Sequence, residues 1–138
     1  MLKPFLLTTI LLTIASVASA DVIAERQAGF KGNAKALKAI NAALSAGDLT
    51  PVAGAAETVA DWSSRMLEYF PEGSDEGETK ARAEIWFDFD DFTAKAKNAE
   101  TAALSLVNLA KSGDVNATAE GFKALAATCK ACHSAYKD

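Results

Sequence analysis

From residue 22 onward, apolar residues recur at intervals of three and four, and nowhere do they alternate in a sustained way. That spacing lines one face of an α-helix. It is clearest in 79–112, where Ile85, Phe89, Phe92, Ala96, Ala99, Ala103, Leu106 and Ala110 form one seam. Segment 115–136 repeats it with Phe122, Leu125, Cys129, Cys132 and Tyr136. Segment 22–46 carries Phe30, Leu37, Ile40 and Leu44, and segment 50–69 carries Val52, Ala55, Val59 and Met66, with Phe70 just beyond. Gly47, a breaker-rich loop over 70–77 and Gly113 separate the four. Thr50 followed by Pro51 predicts a capped helix start, and Asp114 predicts another N-cap. Four amphipathic helices with short connections predict an all-α fold, an antiparallel four-helix bundle.

The first twenty residues differ. Lys3 precedes an apolar run from Phe5 to Ile14, and Ala18-Ser19-Ala20 has the small residues of a cleavage site. Residues 1–20 therefore read as a secretory signal peptide cut after Ala20, with 21–138 as one mature domain. The apolar run is short for a membrane span, so an uncleaved anchor is the weaker reading. No membrane attachment is expected once the signal is removed. The full chain has 14 basic and 18 acidic residues. Such an acidic excess argues against nucleic acid as a partner and permits a basic redox partner.

Five residues from the C-terminus stands Cys129-Lys130-Ala131-Cys132-His133, a C-x-x-C-H. Two thiols one helical turn apart can each bond to one vinyl group of the same porphyrin, and the adjacent imidazole can ligate the iron. The chain has two cysteines and one histidine, all in this motif. A thioredoxin-like redox pair would want a βαβ context, and a structural zinc would want a fourth ligand; neither is present. One c-type haem per chain, bound covalently through Cys129 and Cys132 with His133 on the iron, is the expected cofactor. The motif and the export signal agree, because c-type haem is attached to exported thiols. The expected compartment is the bacterial periplasm.

The motif lies at the end of the chain, so a second axial ligand would have to come from upstream. Here the sequence resembles the cytochrome c′ family over essentially all of 21–138. The resemblance is carried by Arg26-Gln27-Ala28-Gly29-Phe30-Lys31, Phe70-Pro71-Glu72-Gly73, Ala83-Glu84-Ile85-Trp86, Asp90-Asp91-Phe92 and the C-x-x-C-H with its flank Ser134-Ala135-Tyr136-Lys137. It implies that His133 binds the iron from one side and that Phe30 faces the other. Phe cannot ligate iron. The resemblance therefore implies a five-coordinate, high-spin haem that binds NO or CO, in a non-enzymatic protein that also allows electron transfer. It places Arg26 and Gln27 near the haem propionates and Lys137 near the proximal face. Trp86 is a candidate for the porphyrin edge, with simple core packing as its competing reading, and the same holds for Phe89. A homodimer through the first two helices is also implied.

Other readings stay open at this point. Met66, the one methionine beyond Met1, could be a sixth ligand of a low-spin electron carrier, or adaptable core filler. Arg26 could be a solvated arginine, and Lys137 a frayed lysine beside the chain end. Asp88, Asp90 and Asp91 read as the wet face of a helix rather than a metal site. A helical bundle without haem is the remaining alternative.

Overall fold

The computed structural model describes residues 14–138. Most of the signal-peptide reading of 1–20 lies outside them. Helix α1 spans Ile14–Ala46, α2 Val52–Arg65, α3 Glu84–Phe87, α4 Phe89–Ser112 and α5 Val115–Tyr136. A 3₁₀ turn, Met66–Tyr69, tightens the exit of α2. The four long helices pack as a bundle. Trp62 and Met66 at the end of α2 meet Phe92 and Ala96 at the start of α4, so these two run antiparallel. No helix of the described residues is long and apolar enough to cross a membrane.

The predicted boundaries hold at two turns. Gly47 and Gly113 adopt the left-handed backbone (φ 68° and 81°) that ends α1 and α4. Asp114 caps α5, its carboxylate accepting from the Ala117 amide at 2.9 Å. At Thr50 the expectation fails: no side chain caps α2, and Asp48 instead accepts from the Thr50 amide at 2.9 Å.

The long third helix expected over 79–112 also needs correction. Residues 79–83 are not helical, and the helix is interrupted at Asp88 (φ −134°, ψ 64°). Two side chains cause the break. Asp88 accepts from the Asp91 amide at 3.1 Å, which offers the backbone an alternative to continuing the helix. The Trp86 indole donates to the carbonyls of Phe70 and Pro71, both at 3.0 Å, and draws α3 toward the 70–77 loop. One consequence is that Phe89 leaves the seam and is 38% exposed, while Phe87 is 85% exposed. Asp88 is thus a helix cap rather than part of a merely wet face.

The core has two parts. At one end Ile40, Val52, Val59, Leu106 and Leu125 close tightly around small residues such as Ala56 and Ala103. Each large aliphatic side chain buried there stabilises the bundle by about 2 kcal/mol. At the other end Trp62, Met66, Phe70, Ile85, Phe92 and Tyr136 form an aromatic cluster. Phe30 and Cys132 pack against its edge. Of the four neighbouring long-helix pairs, α1 and α5 touch least.

Candidate cofactor-binding site

Between α1 and α5 lies a cavity of about 680 Å³. This is within the range that holds cofactor-sized ligands. Helix α1 contributes Arg26, Gln27, Phe30 and Lys31 to its wall. Phe70, Ile85 and Phe92 give it an apolar base, and Glu78, Thr79, Lys80 and Ala81 form a strap along one side. Helix α5 contributes Cys132, His133 and Tyr136, and Lys137 follows just beyond its end.

His133 and Phe30 reach the cavity from opposite helices. Their rings stand edge to face with centroids 6.3 Å apart. Phe30 is held from behind by Trp62 at 5.4 Å and Phe70 at 6.4 Å. Partial burial, with Lys137 adding to it, lowers the His133 pKa and so favours the neutral imidazole. Neutral imidazole is the form that binds metals.

The two cysteines are free and half-buried. Cys132 lines the cavity; Cys129 stands one turn earlier on the same helix, outside the lining. Burial raises both thiols, Cys132 to about 11, so neither is a thiolate at neutral pH. That is not the low-pKa setting of a redox-active Cys-x-x-Cys.

Arg26 is 2% exposed, not solvated. Its Nη1 donates to Ser74 Oγ at 2.8 Å and Tyr69 O at 3.3 Å. Its Nη2 donates to Ser74 O at 2.6 Å and Thr79 Oγ1 at 2.7 Å. The guanidinium also sits 4.7 Å from the Phe70 ring centre. Gln27 donates from Nε2 to Glu78 O at 2.7 Å. Both side chains thus fasten the strap to α1.

The strap is fastened at its other end too. The Arg82 amide donates to Tyr136 O and the Asp138 amide to Lys80 O, each at 3.0 Å, and Ala81 pairs with Lys137 in an isolated bridge. Lys137 is exposed, but its backbone is tied down rather than frayed.

Trp86 is not among the cavity-lining residues; it packs on Phe70 at 6.2 Å and bonds to the loop. Met66 is likewise absent from the lining and lies buried in the aromatic cluster. Among the described residues no group of three or more His, Cys, Asp or Glu could hold a metal ion, the Asp88–Asp91 run included.

The sequence reading missed the strap and the aromatic base as parts of the site. Phe70 and Phe92 read simply as core, and 78–81 carries no motif that marks it as a wall. The signal that could have exposed it is Thr79 to Ala83, five residues placed in a helix although no apolar seam begins until Ile85.

An apolar slot carrying one imidazole, one adjacent thiol and a second thiol a turn away fits a flat macrocycle with two vinyl attachment points. Comparison with known proteins agrees. The family profile described as Cytochrome C′ matches residues 21–137. The chain is 33% identical over 129 residues to cytochrome c′ of Rhodospirillum rubrum, covering 91% of this chain and 88% of that one. Among solved structures it resembles a cytochrome c′ described as having an unusual ligand-controlled dimer dissociation (TM-score 0.81, 26% identity, 86% of this chain and 95% of that one). It also resembles the nitric oxide complex of a leucine-to-isoleucine mutant of cytochrome c prime from Alcaligenes xylosoxidans (TM-score 0.77, 25% identity, 87% and 96% covered).

Proposed function

Because the chain belongs to the cytochrome c′ family, a family of non-enzymatic haem proteins, we propose that it is a periplasmic, five-coordinate, high-spin c-type haem protein that binds NO or CO. Cys129 and Cys132 would hold the haem covalently and His133 would ligate its iron. When bound, the haem supplies an iron able to take a small π-acceptor gas and a one-electron redox couple.

The chain's own residues supply the selectivity. Phe30 presents only carbon and hydrogen toward His133. It offers no lone pair for iron and no donor for a polarised dioxygen, which favours NO or CO over reversible oxygen carriage. Trp62 and Phe70 restrain its ring, so access is limited to small ligands. The neutral His133 is ready to ligate, and the Lys137 charge beside it disfavours its protonation.

The observation that carries this reading is the pairing of Phe30 with His133 across one apolar cavity. A low-spin electron carrier would need a sixth ligand at the iron; Met66 is buried in the aromatic cluster and does not line the cavity, and Phe30 stands where such a ligand would have to reach. Electron exchange with a periplasmic partner remains part of the proposal, as does a homodimer through α1 and α2. In favour of the latter, Gly32 and Gly54 have nothing within 4 Å of where a Cβ would stand, and Ala28 and Ala39 are exposed, so a second copy could approach closely.

The test is optical and electron-paramagnetic spectra of the haem-loaded protein, ferric and ferrous, with and without NO or CO. High-spin signals that change with gas are expected, with faster gas association in Phe30→Ala. A low-spin spectrum indifferent to gas would replace this reading with the electron carrier.

A further inference from the structure

Arg26 is the cation that the family resemblance places near the haem carboxylates, yet the structure engages it elsewhere. A guanidinium has five N–H donors. Four of those on Arg26 point to Tyr69, Ser74 and Thr79, leaving only Nε–H. Its bonds hold Tyr69, Ser74 and the strap residue Thr79 against α1.

Three other cations line the cavity: Lys31 on α1, Lys80 on the strap and Lys137 at the end of α5. All three are exposed. None appears in an ion pair among the described residues, where the paired cations are Arg65, Arg82, Lys95, Lys111 and Lys123. Glu78 is the one carboxylate in the lining. An otherwise apolar cavity therefore has a cationic rim with little of opposite sign to neutralise it. Lys137 follows His133 by four residues, one turn on at the end of α5, and so belongs to the iron-ligand side. Lys31 is four residues from Gln27, on the same face of α1, and Gln27 bonds to the strap beside Lys80.

Resting on the haem reading above, we infer that Lys31 and Lys80 bind the two haem carboxylates, and that Arg26 is a positioning residue that holds the strap carrying Lys80. An ammonium can serve as a point charge where the forked guanidinium is engaged elsewhere.

Exposed pairs of this kind are individually weak, so stability is a poor readout. The test is resonance Raman spectroscopy of the holoprotein, following the propionate bending band, which reports hydrogen bonding to those carboxylates. Lys31→Met and Lys80→Met keep the aliphatic stems and remove the charges. The band is expected to shift in each, to shift further in the double variant, and to return in Lys80→Arg. Ser74→Ala combined with Thr79→Val removes two acceptors of Arg26 and is expected to speed amide hydrogen exchange across 74–81. An unmoved band in a haem-loaded double lysine variant would overturn the carboxylate assignment. Unchanged exchange in the Ser74/Thr79 variant would overturn the strap role. Failure to find covalent haem in matured wild-type protein would instead overturn the functional reading itself.

Discussion

Tyr136 sits one turn beyond Cys132, and its hydroxyl donates to Asp91 Oδ2 at 2.6 Å. The bond ties the helix that carries His133 to the start of α4. It also sets two titrations. The Tyr136 hydrogen bond, with Lys95 helping, holds the Asp91 carboxyl below its usual range. That contribution is complete above the ordinary Asp value of about 4 and is lost as pH falls through the lower folded value. Burial first, and then Asp91, push the Tyr136 hydroxyl well above its usual range. Its contribution is complete below the ordinary Tyr value of about 10 and is lost as pH rises through the higher folded value. Tyr136→Phe should therefore flatten both the acid and alkaline limbs of stability, measured as urea midpoints across pH. An equal loss at every pH would mean that the pair does not couple to protons. At this scale the sequence was most legible where chemistry is local. Cys129, Cys132 and His133 announce themselves by spacing, whereas the four bonds of Arg26 run to residues 43 to 53 positions away.

Helix α1 approaches α2 through Gly29, where a Cβ would overlap the six-membered ring of Trp62. Trp62 is buried and holds Phe30, so it has little room to give way. Gly29→Ala should cost about 1–3 kcal/mol by overpacking. It should also alter gas-binding rates, because a displaced Trp62 would press on the Phe30 ring it packs against. Thermal melts and flash photolysis of the same variant would separate the two effects; unchanged rates would show that Phe30 is held independently of Trp62. Helix existence and most ends were readable, since periodicity, glycine stops and the Asp114 cap are local signals. The break at Asp88 was not, because half of its cause, the Trp86 bond to Phe70 and Pro71, lies 15 and 16 residues away.

At the scale of the whole molecule, one end of the bundle is closed and the other is parted. The closed end, with Ile40, Leu106 and Leu125 fully buried, should persist without cofactor. The parted end relies on the strap and the aromatic cluster to separate α1 from α5. Haem-free protein should therefore exchange amide hydrogens fastest in 20–31, 74–83 and 129–138, and haem should protect those stretches selectively. Uniform exchange along the helices would refute this division. What the sequence by itself determined is the kind of molecule: the apolar period requires helices, their number and connections require a bundle, and the C-x-x-C-H motif points to a c-type haem. These are short-range properties of a helix, legible from residues within a turn or two. What only the tertiary structure decided is where α1 and α5 part, which side chains form the rim, and which cation is free to meet an anion. Those depend on contacts between residues distant in the chain, and a single sequence carries no local signal of them.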